Sequence, residues 1–359
     1  NTALDAAGVL TRFSRVKIGT ADEDGVIAGS DYGFKISGIS TEVVSFSAVS
    51  ASPAIYLAGT SGLNDSAAGQ VVKLTDLAAA TPTTAFTTRL EANPDTSQVA
   101  VVGGEDSFVA KYDANGVEQW LSRFGGSGDD QPNAVTIASD GTIYVAGEAA
   151  SAFGDASHQG GASDGYLRAI SASGTTLSTT RIGDIGEESV SAITMASDGN
   201  LIIASEEDGV GVIRKFDTAD LAAGPLWTQS LGDLGAGRIG DIAVDGTNIY
   251  IAGSASSAFA PSTPLNAYSG GERDVFLVKL SDGAAATVDY TTFLGSDKDE
   301  TANAITLDGS KVYLAGKTTG SLPGQSLIGE RDAFAASFNA ADGAFDWAVQ
   351  LSGRNGISE

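Results

Sequence analysis

Residues 106–147 read DSFVAKYDANGVEQWLSRFGGSGDDQPNAVTIASDGTIYVAG. Apolar or β-branched residues alternate with polar ones in four short runs, 108–112, 118–124, 133–138 and 142–146, and Gly, Asn or Asp separates each run from the next. No apolar stripe at helical spacing crosses the segment. The pattern predicts four β-strands joined by tight turns. The same phrase returns along the chain. Residues 164–205 run DGYLRAISASG to ITMASDGNLIIAS, residues 211–253 run GVIRKFD to IAVDGTNIYIAG, and residues 274–316 run DVFLVKLSDG to AITLDGSKVYLAG. Residues 332–351 begin another copy. A unit this small cannot bury its own faces and must stack on its copies.

The IYVAG position recurs six times, ending at Gly59, Gly103, Gly147, Ser205, Gly253 and Gly316, with Gly29 as a further candidate. Successive intervals run from 44 to 63 residues, and the variation lies in the connectors at 148–163, 254–273 and 317–331. Residues 38–59 align without a gap to 126–147, after which QVVKL at 70–74 stands where FVAKY stands. Residues 76–98 are irregular, and residues 1–37 read as a divergent copy or a linker. Four strands per roughly 45 residues is the period of a propeller blade. The expected fold is all-β, a single β-propeller domain over 1–359 with clear repeats at 38–351. Seven blades are favoured, with six as the alternative. Strand 133–138 would be innermost and the Trp-bearing strand outermost.

The phrases D-x-F-V-x-K, W-S or its variants, G-G-S-G-D-D and D-G-x-I-Y-V-A-G, in that order, resemble the seven-bladed β-propeller repeat of bacterial surface and secreted proteins (the SBBP type). The connector SAFAPSTPLNAYSGG at 257–271 resembles that repeat's connector. The resemblance covers about residues 38–351. It implies an extracytoplasmic scaffold, often one part of a larger protein, and implies no reaction. The copy at 211–253 departs, with Gly211 in place of the Asp that opens the other copies and Arg238 near the acidic doublet. Thr179 stands near the position of Trp120, Trp227 and Trp347.

Composition narrows the partners. The chain carries 45 acidic against 20 basic residues, a net charge of −25, which disfavours nucleic acid and anionic membranes. It has no cysteine, so disulfides, thiolate metal sites and cysteine nucleophiles are excluded. No apolar run reaches the length that spans a membrane. The start at Asn1 reads as a mature or excised segment of a longer product.

Candidate chemistry is sparse. GAGRIG at 235–240 satisfies G-x-G-x-x-G, but it falls on a repeat turn followed by a strand, whereas a dinucleotide site needs a helix there. GASDG at 161–165 satisfies G-x-S-x-G beside His158, the sole histidine, yet it leads into a strand rather than a nucleophile elbow. With one histidine and no cysteine, multi-histidine metal sites have no ligands and nucleophilic triads have no support. The acidic doublets recur: Asp129 and Asp130, Glu187 and Glu188, Asp299 and Glu300, with Glu42 at the same place. Each precedes an inner strand, so the doublets are expected to crowd one face, and calcium is the metal such hard ligands would take. The bland reading has them bonding turn amides or solvating a rim; no full-length calcium loop is present. Asp106, Asp164, Asp274 and Asp332 open FVAK-type strands and are read as acceptors of backbone N–H groups. Trp120, Trp227 and Trp347 are expected to pack between blades.

The function expected from the sequence is a non-catalytic interaction or scaffold module of a bacterial surface, secreted or appendage-associated protein, flagellar or S-layer among the settings. The protein partner would meet the long connectors on one rim or an acidic mouth on the other. One alternative is a glycan-binding propeller using Phe153, Phe259 and Tyr268. Another is a polysaccharide hydrolase or lyase using channel carboxylates. No catalytic or cofactor-binding residue is assigned.

Overall fold

The computed structural model describes residues 106–113, 117–152 and 157–351 in full, together with the backbones of strands between Val16 and Leu90. Expectations that rest on residues 18–24, 99–103 and Phe153 lie outside the described residues. The chain divides into two compact units, 1–190 and 191–359, and the division falls inside strand Glu188–Met195.

Four sheets repeat one plan, four antiparallel strands in chain order. Sheet 1 holds Asp130–Ile137, Ile143–Ala149, Asp164–Ile170 and Thr176–Ile182. Sheet 2 holds Glu188–Met195, Leu201–Glu207, Val210–Phe216 and Pro225–Asp233. Sheet 3 holds Arg238–Asp245, Asn248–Ala255, Asp274–Ser281 and Thr287–Leu294. Sheet 4 holds Glu300–Asp308, Lys311–Thr318, Asp332–Asn339 and Phe345–Leu351. Blade-like sheets are therefore what the repeat encodes.

The preceding sheet corrects one expectation. Ala54–Ser61 pairs with Asp106–Tyr112, followed by Glu118–Phe124, and not with QVVKL. QVVKL lies in Gly69–Thr75, which pairs with Thr83–Leu90 in a separate hairpin. Residues 62–105 are thus inserted between Ala54–Ser61 and Asp106–Tyr112, neighbouring strands of a five-stranded sheet that begins with Val16–Lys17 and Ser45–Ala51. Local likeness to FVAKY placed the strand type correctly and its partner wrongly, because pairing is a long-range property that strand propensity does not encode.

Turn chemistry explains the hairpins. Gly141 and Gly199 sit at φ +87° and +84°, where a side chain would be strained. Asp140 and Asp198 hold these turns by accepting the N–H groups of Thr142 and Asn200, at 2.9 and 3.1 Å. The first strands share a bulge, at Asn133, Gly240 and Asn303. There they meet the first strand of the next sheet: Asn133 Nδ2 donates to Val190 O at 3.1 Å, and a β-carbon on Gly240 would overlap Ala302 O. The second and third strands carry much of the core. Ile249, Ile251, Phe276 and Val278 are buried in one cluster, and Val312, Leu314, Phe334 and Ala336 in the next.

Candidate functional site

Register gathers the recurring acids and the connectors on one sheet edge. Asp130 pairs with Ala149 and Ala149 with Asp164; Glu300 pairs with Thr318 and Thr318 with Asp332. The first strand therefore starts where the second ends and the third begins, so doublets and second-to-third connectors share an edge. The expectation of connectors on one rim and acids on the other is corrected by the antiparallel register itself.

The doublets do not act as doublets. Asp130, Glu188 and Glu300 are buried, whereas Asp129 and Glu187 are exposed and Asp299 is half-buried. Adjacent residues at a strand start point to opposite sides, so one carboxylate of each pair turns inward and its neighbour turns out. Among the described residues, no three His, Asp or Glu side chains converge as a metal cage.

Glycines lie against these acids, and at Gly125 the inward acid and the opening Asp of the preceding strand flank the same glycine. A β-carbon on Gly125 would overlap the Asp106 carboxylate and come within 2.8 Å of Asp130 Oδ2. A β-carbon on Gly183 would overlap the Glu188 side chain, and one on Gly295 the Asp274 carboxylate. The glycines at 125, 183 and 295 are present because carboxylates occupy the space a side chain would need.

Backbone donors hold the acids, as read from the sequence for the opening Asp. Gln159 N–H donates to Asp164 Oδ2 and Ser269 N–H to Asp274 Oδ2, both at 2.5 Å; Ile328 N–H donates to Asp332 Oδ2 at 3.0 Å. Each bond ties a connector to its own third strand. The inward acids cap the turns before the first strands. Gly126 N–H donates to Asp130 Oδ2 at 2.6 Å, and Ser296 N–H to Glu300 Oε2 at 2.8 Å. Burial pushes Asp130 up to about 6 and Asp274 up to about 7; Asp106 adds to the first shift and Glu300 to the second. Burial also raises Glu300, although Thr318 and Ser296 oppose it with hydrogen bonds.

The junction between sheets 2 and 3 has neither acid. By register Val210, rather than Gly211, stands where the opening Asp stands, since it pairs with Glu207 as Asp164 pairs with Ala149 and Asp274 with Ala255. Gly237 stands at the inward position, where a β-carbon would overlap Ser254 O. Leu234, fully buried, fills the space; its Cδ atoms would lie 3.4 Å from a β-carbon on Gly211. Its carbonyl accepts the N–H groups of Gly237 and Ser256, both at 3.0 Å. The two acids are lost together, and a leucine takes their place.

The fourth-strand aromatics reach the next sheet's third-to-fourth hairpin. Trp120 Nε1 donates to Ala172 O at 3.1 Å, and Trp227 Nε1 to Asp282 Oδ1 at 3.0 Å. Tyr290 holds the same register position in sheet 3, and its hydroxyl donates to Ala340 O at 3.3 Å. The sequence reading missed Tyr290; its opposition to Lys279, as Trp120 opposes Lys111 and Trp227 opposes Lys215, was the signal. Trp347 departs from the packing expectation. It is 42% exposed, against 7% for Trp227, and its ring lies tilted at 49° to that of Tyr313, with centroids 6.2 Å apart.

Among the described residues, the connector aromatics Phe259 and Tyr268 pack inward. Phe259 is buried, its ring 4.5 Å from Phe276 and 6.2 Å from Phe293. Tyr268 packs edge-on against Phe293, and its hydroxyl donates to Gly271 O at 2.9 Å. Both were expected as glycan contacts; the connector folds back and uses them to plug the sheet edge. Leu322 is buried in the same manner in the next connector. No helix follows GAGRIG or GASDG, since strands Arg238–Asp245 and Asp164–Ile170 do. His158 Nδ1 lies 3.2 Å from Asp164 Oδ2, and Ser163 Oγ donates to Glu188 O at 3.3 Å, so neither is poised against the other.

No family model matches the chain. The regulatory protein FlaEY of Caulobacter vibrioides is 29% identical over 289 residues, which cover 70% of this chain and 30% of FlaEY. The chain therefore spans less than a third of that relative. Among solved structures, hydrazine synthase of Kuenenia stuttgartiensis overlays with a TM-score of 0.45 at 13% identity, covering 77% of this chain and 72% of its own. YCF48 bound to D1 peptide overlays at 0.41 and 9% identity, covering 90% and 95%, and puromycin hydrolase at 0.40 and 12%, covering 92% and 53%. Likeness at this level carries no functional weight.

Proposed function

We propose that the chain is a non-catalytic interaction module, an extracytoplasmic β-propeller of the seven-bladed bacterial repeat type, within a larger surface or appendage-associated protein. The observation that carries this reading is the similarity to the regulatory protein FlaEY, which runs through 289 residues and so follows the repeats. The side chains that invited a catalytic reading have structural occupations. The inward acids cap turns, the opening acids tie connectors, and the connector aromatics plug the core. What the connector edge offers a partner is therefore shape and outward charge, from residues such as Asp129 and Glu187. Such a surface suits a protein with a basic face.

The setting we favour is an appendage, flagellar or S-layer. The test deletes the coding region for residues 38–351 in the source bacterium and scores appendage assembly by electron microscopy. Purified protein is screened in parallel against glycan arrays and polysaccharide substrates. Altered assembly with empty screens is the expected outcome. Turnover of a polysaccharide, or saturable binding to one glycan class, would overturn the reading.

A further inference from the structure

The third-to-fourth sheet junction stands out for where its hydrogen-bond donors fall. Glu300 is fully supplied: Oε1 accepts from Ser296 Oγ at 2.7 Å and Thr318 Oγ1 at 2.6 Å, and Oε2 accepts from Ser296 N–H. Asp274 is not. Its Oδ2 accepts Ser269 N–H, while Oδ1 is buried with no hydrogen-bond partner among the described residues. Both carboxyl groups are fully buried, and one oxygen of Asp274 lacks a donor. A bare anionic oxygen there is costly, and a proton on it removes the cost.

The charges facing the pair do not neutralise it. From the connector come Tyr268 and Glu272, and from the turn Asp299, all acidic or neutral. Arg273 precedes Asp274 in the chain; its Nη1 donates to Ala236 O at 2.8 Å, and its Nε is buried with no hydrogen-bond partner among the described residues. Lys298 in the turn is exposed. A cation fits poorly, because N–H and O–H donors already meet both acids.

The same pair anchors the connector. Ser269 N–H binds Asp274, Glu272 N–H donates to Asp299 Oδ1 at 2.8 Å, and Glu300 N–H donates to Arg273 O at 3.0 Å. We propose that Asp274 takes up a proton beside Glu300 and that the two acids act as a latch that holds connector residues 267–273 shut in mildly acidic medium and loosens it towards neutrality. The sheet 2 to sheet 3 junction, sealed by Leu234, is the built-in control, since it has no acid pair to titrate.

The direction follows from linkage. The closed latch binds a proton that the open one releases, so opening becomes easier as pH rises through the window between the ordinary carboxylate value and the pair's own. It levels off above that value. The test is hydrogen–deuterium exchange of the full chain from pH 5 to 8, corrected for intrinsic rates. Protection of peptides covering 267–273 should fall roughly tenfold per pH unit up to about pH 7 and then level off. Peptides covering 232–238 should show no such trend. Asp274→Asn, which mimics the protonated acid, should flatten the profile while keeping the connector protected. Glu300→Gln should also flatten it, and serves if the first variant does not fold. Protection independent of pH in the wild type, an equal trend at 232–238, or an unchanged slope in the variants would overturn the proposal.

Discussion

Two junctions in the second unit do the same job with opposite chemistry. Between sheets 2 and 3 the edge is closed by Leu234 over two glycines, Gly211 and Gly237. Below it Trp227 and Lys215 reach across, Lys215 Nζ lying 2.6 Å from both Asp198 and Asp282. Between sheets 3 and 4 the edge is closed by Asp274 and Glu300, and Tyr290 reaches across below. The backbone plan is shared, so either filling satisfies it. The leucine seals by excluding water whatever the pH. The acids hold more chain, because a carboxylate can gather N–H groups from a connector and a turn at once, yet their grip depends on a proton. The repeat thus uses its most recurrent polar residues as fastenings, and one junction shows that apolar packing can replace them.

The comparison can be broken hardest at its aromatic crossbar. Trp227→Ala should cost about 3–5 kcal/mol in denaturant unfolding, whereas Trp347→Ala, on a largely exposed ring, should cost under about 1 kcal/mol. Equal losses would mean that the outer strand of sheet 4 is covered in solution. Next comes the apolar seal. Leu234→Ala should cost about 2–5 kcal/mol, by the same amount at pH 5 and pH 8, because what it removes is apolar packing in a hydrophobic cluster.

The acid pair should give a smaller effect that changes with pH. A carboxyl whose folded value is raised leaves stability whole below its unfolded value, near 4, and removes it as pH climbs to the folded value. Asp274→Asn should therefore be near neutral at pH 5 and stabilising by roughly 1–3 kcal/mol at pH 8. Hydrogen bonds hold Asp198 and Glu207 below the usual range, and their contribution is lost as pH falls through those values. With the two trends opposed, wild-type stability should peak at about pH 5. Smallest should be any preference for calcium. NaCl should raise the melting temperature by screening the net charge of −25, and CaCl2 at matched ionic strength should give the same shift. A large calcium-specific gain, lost in Asp129→Asn/Asp130→Asn, would restore the metal reading.

The strands, their turns and the four-strand plan were legible because alternation and Asp-Gly turns are local signals. Asp164 and Asp274 were legible as N–H acceptors for the same reason. Two things were not. The pairing of Ala54–Ser61 with Asp106–Tyr112 skips an insertion that itself reads as strand, and no local pattern announces a skip. The splitting of Asp129 from Asp130 was implicit in strand alternation, but the doublets read as one acidic feature until the register turned one of each inward. The substitution of Leu234 for an acid pair was half visible. The missing Asp was seen as a departure at Gly211, one residue from Val210 where the register places it, and its link to Gly237 needs the fold, which brings the end of one copy against the start of the next.

The central claim is that Asp274, beside Glu300, is a proton-holding fastening rather than a ligand or a catalyst. It is tested most directly by 13C-carboxyl NMR titration of the intact protein, with Asp274 assigned through Asp274→Asn. The account predicts that Asp274 titrates at about 7, that its curve moves when Glu300 becomes Gln, and that calcium at constant ionic strength leaves it in place. Titration near 4, unaffected by Glu300→Gln, would contradict it.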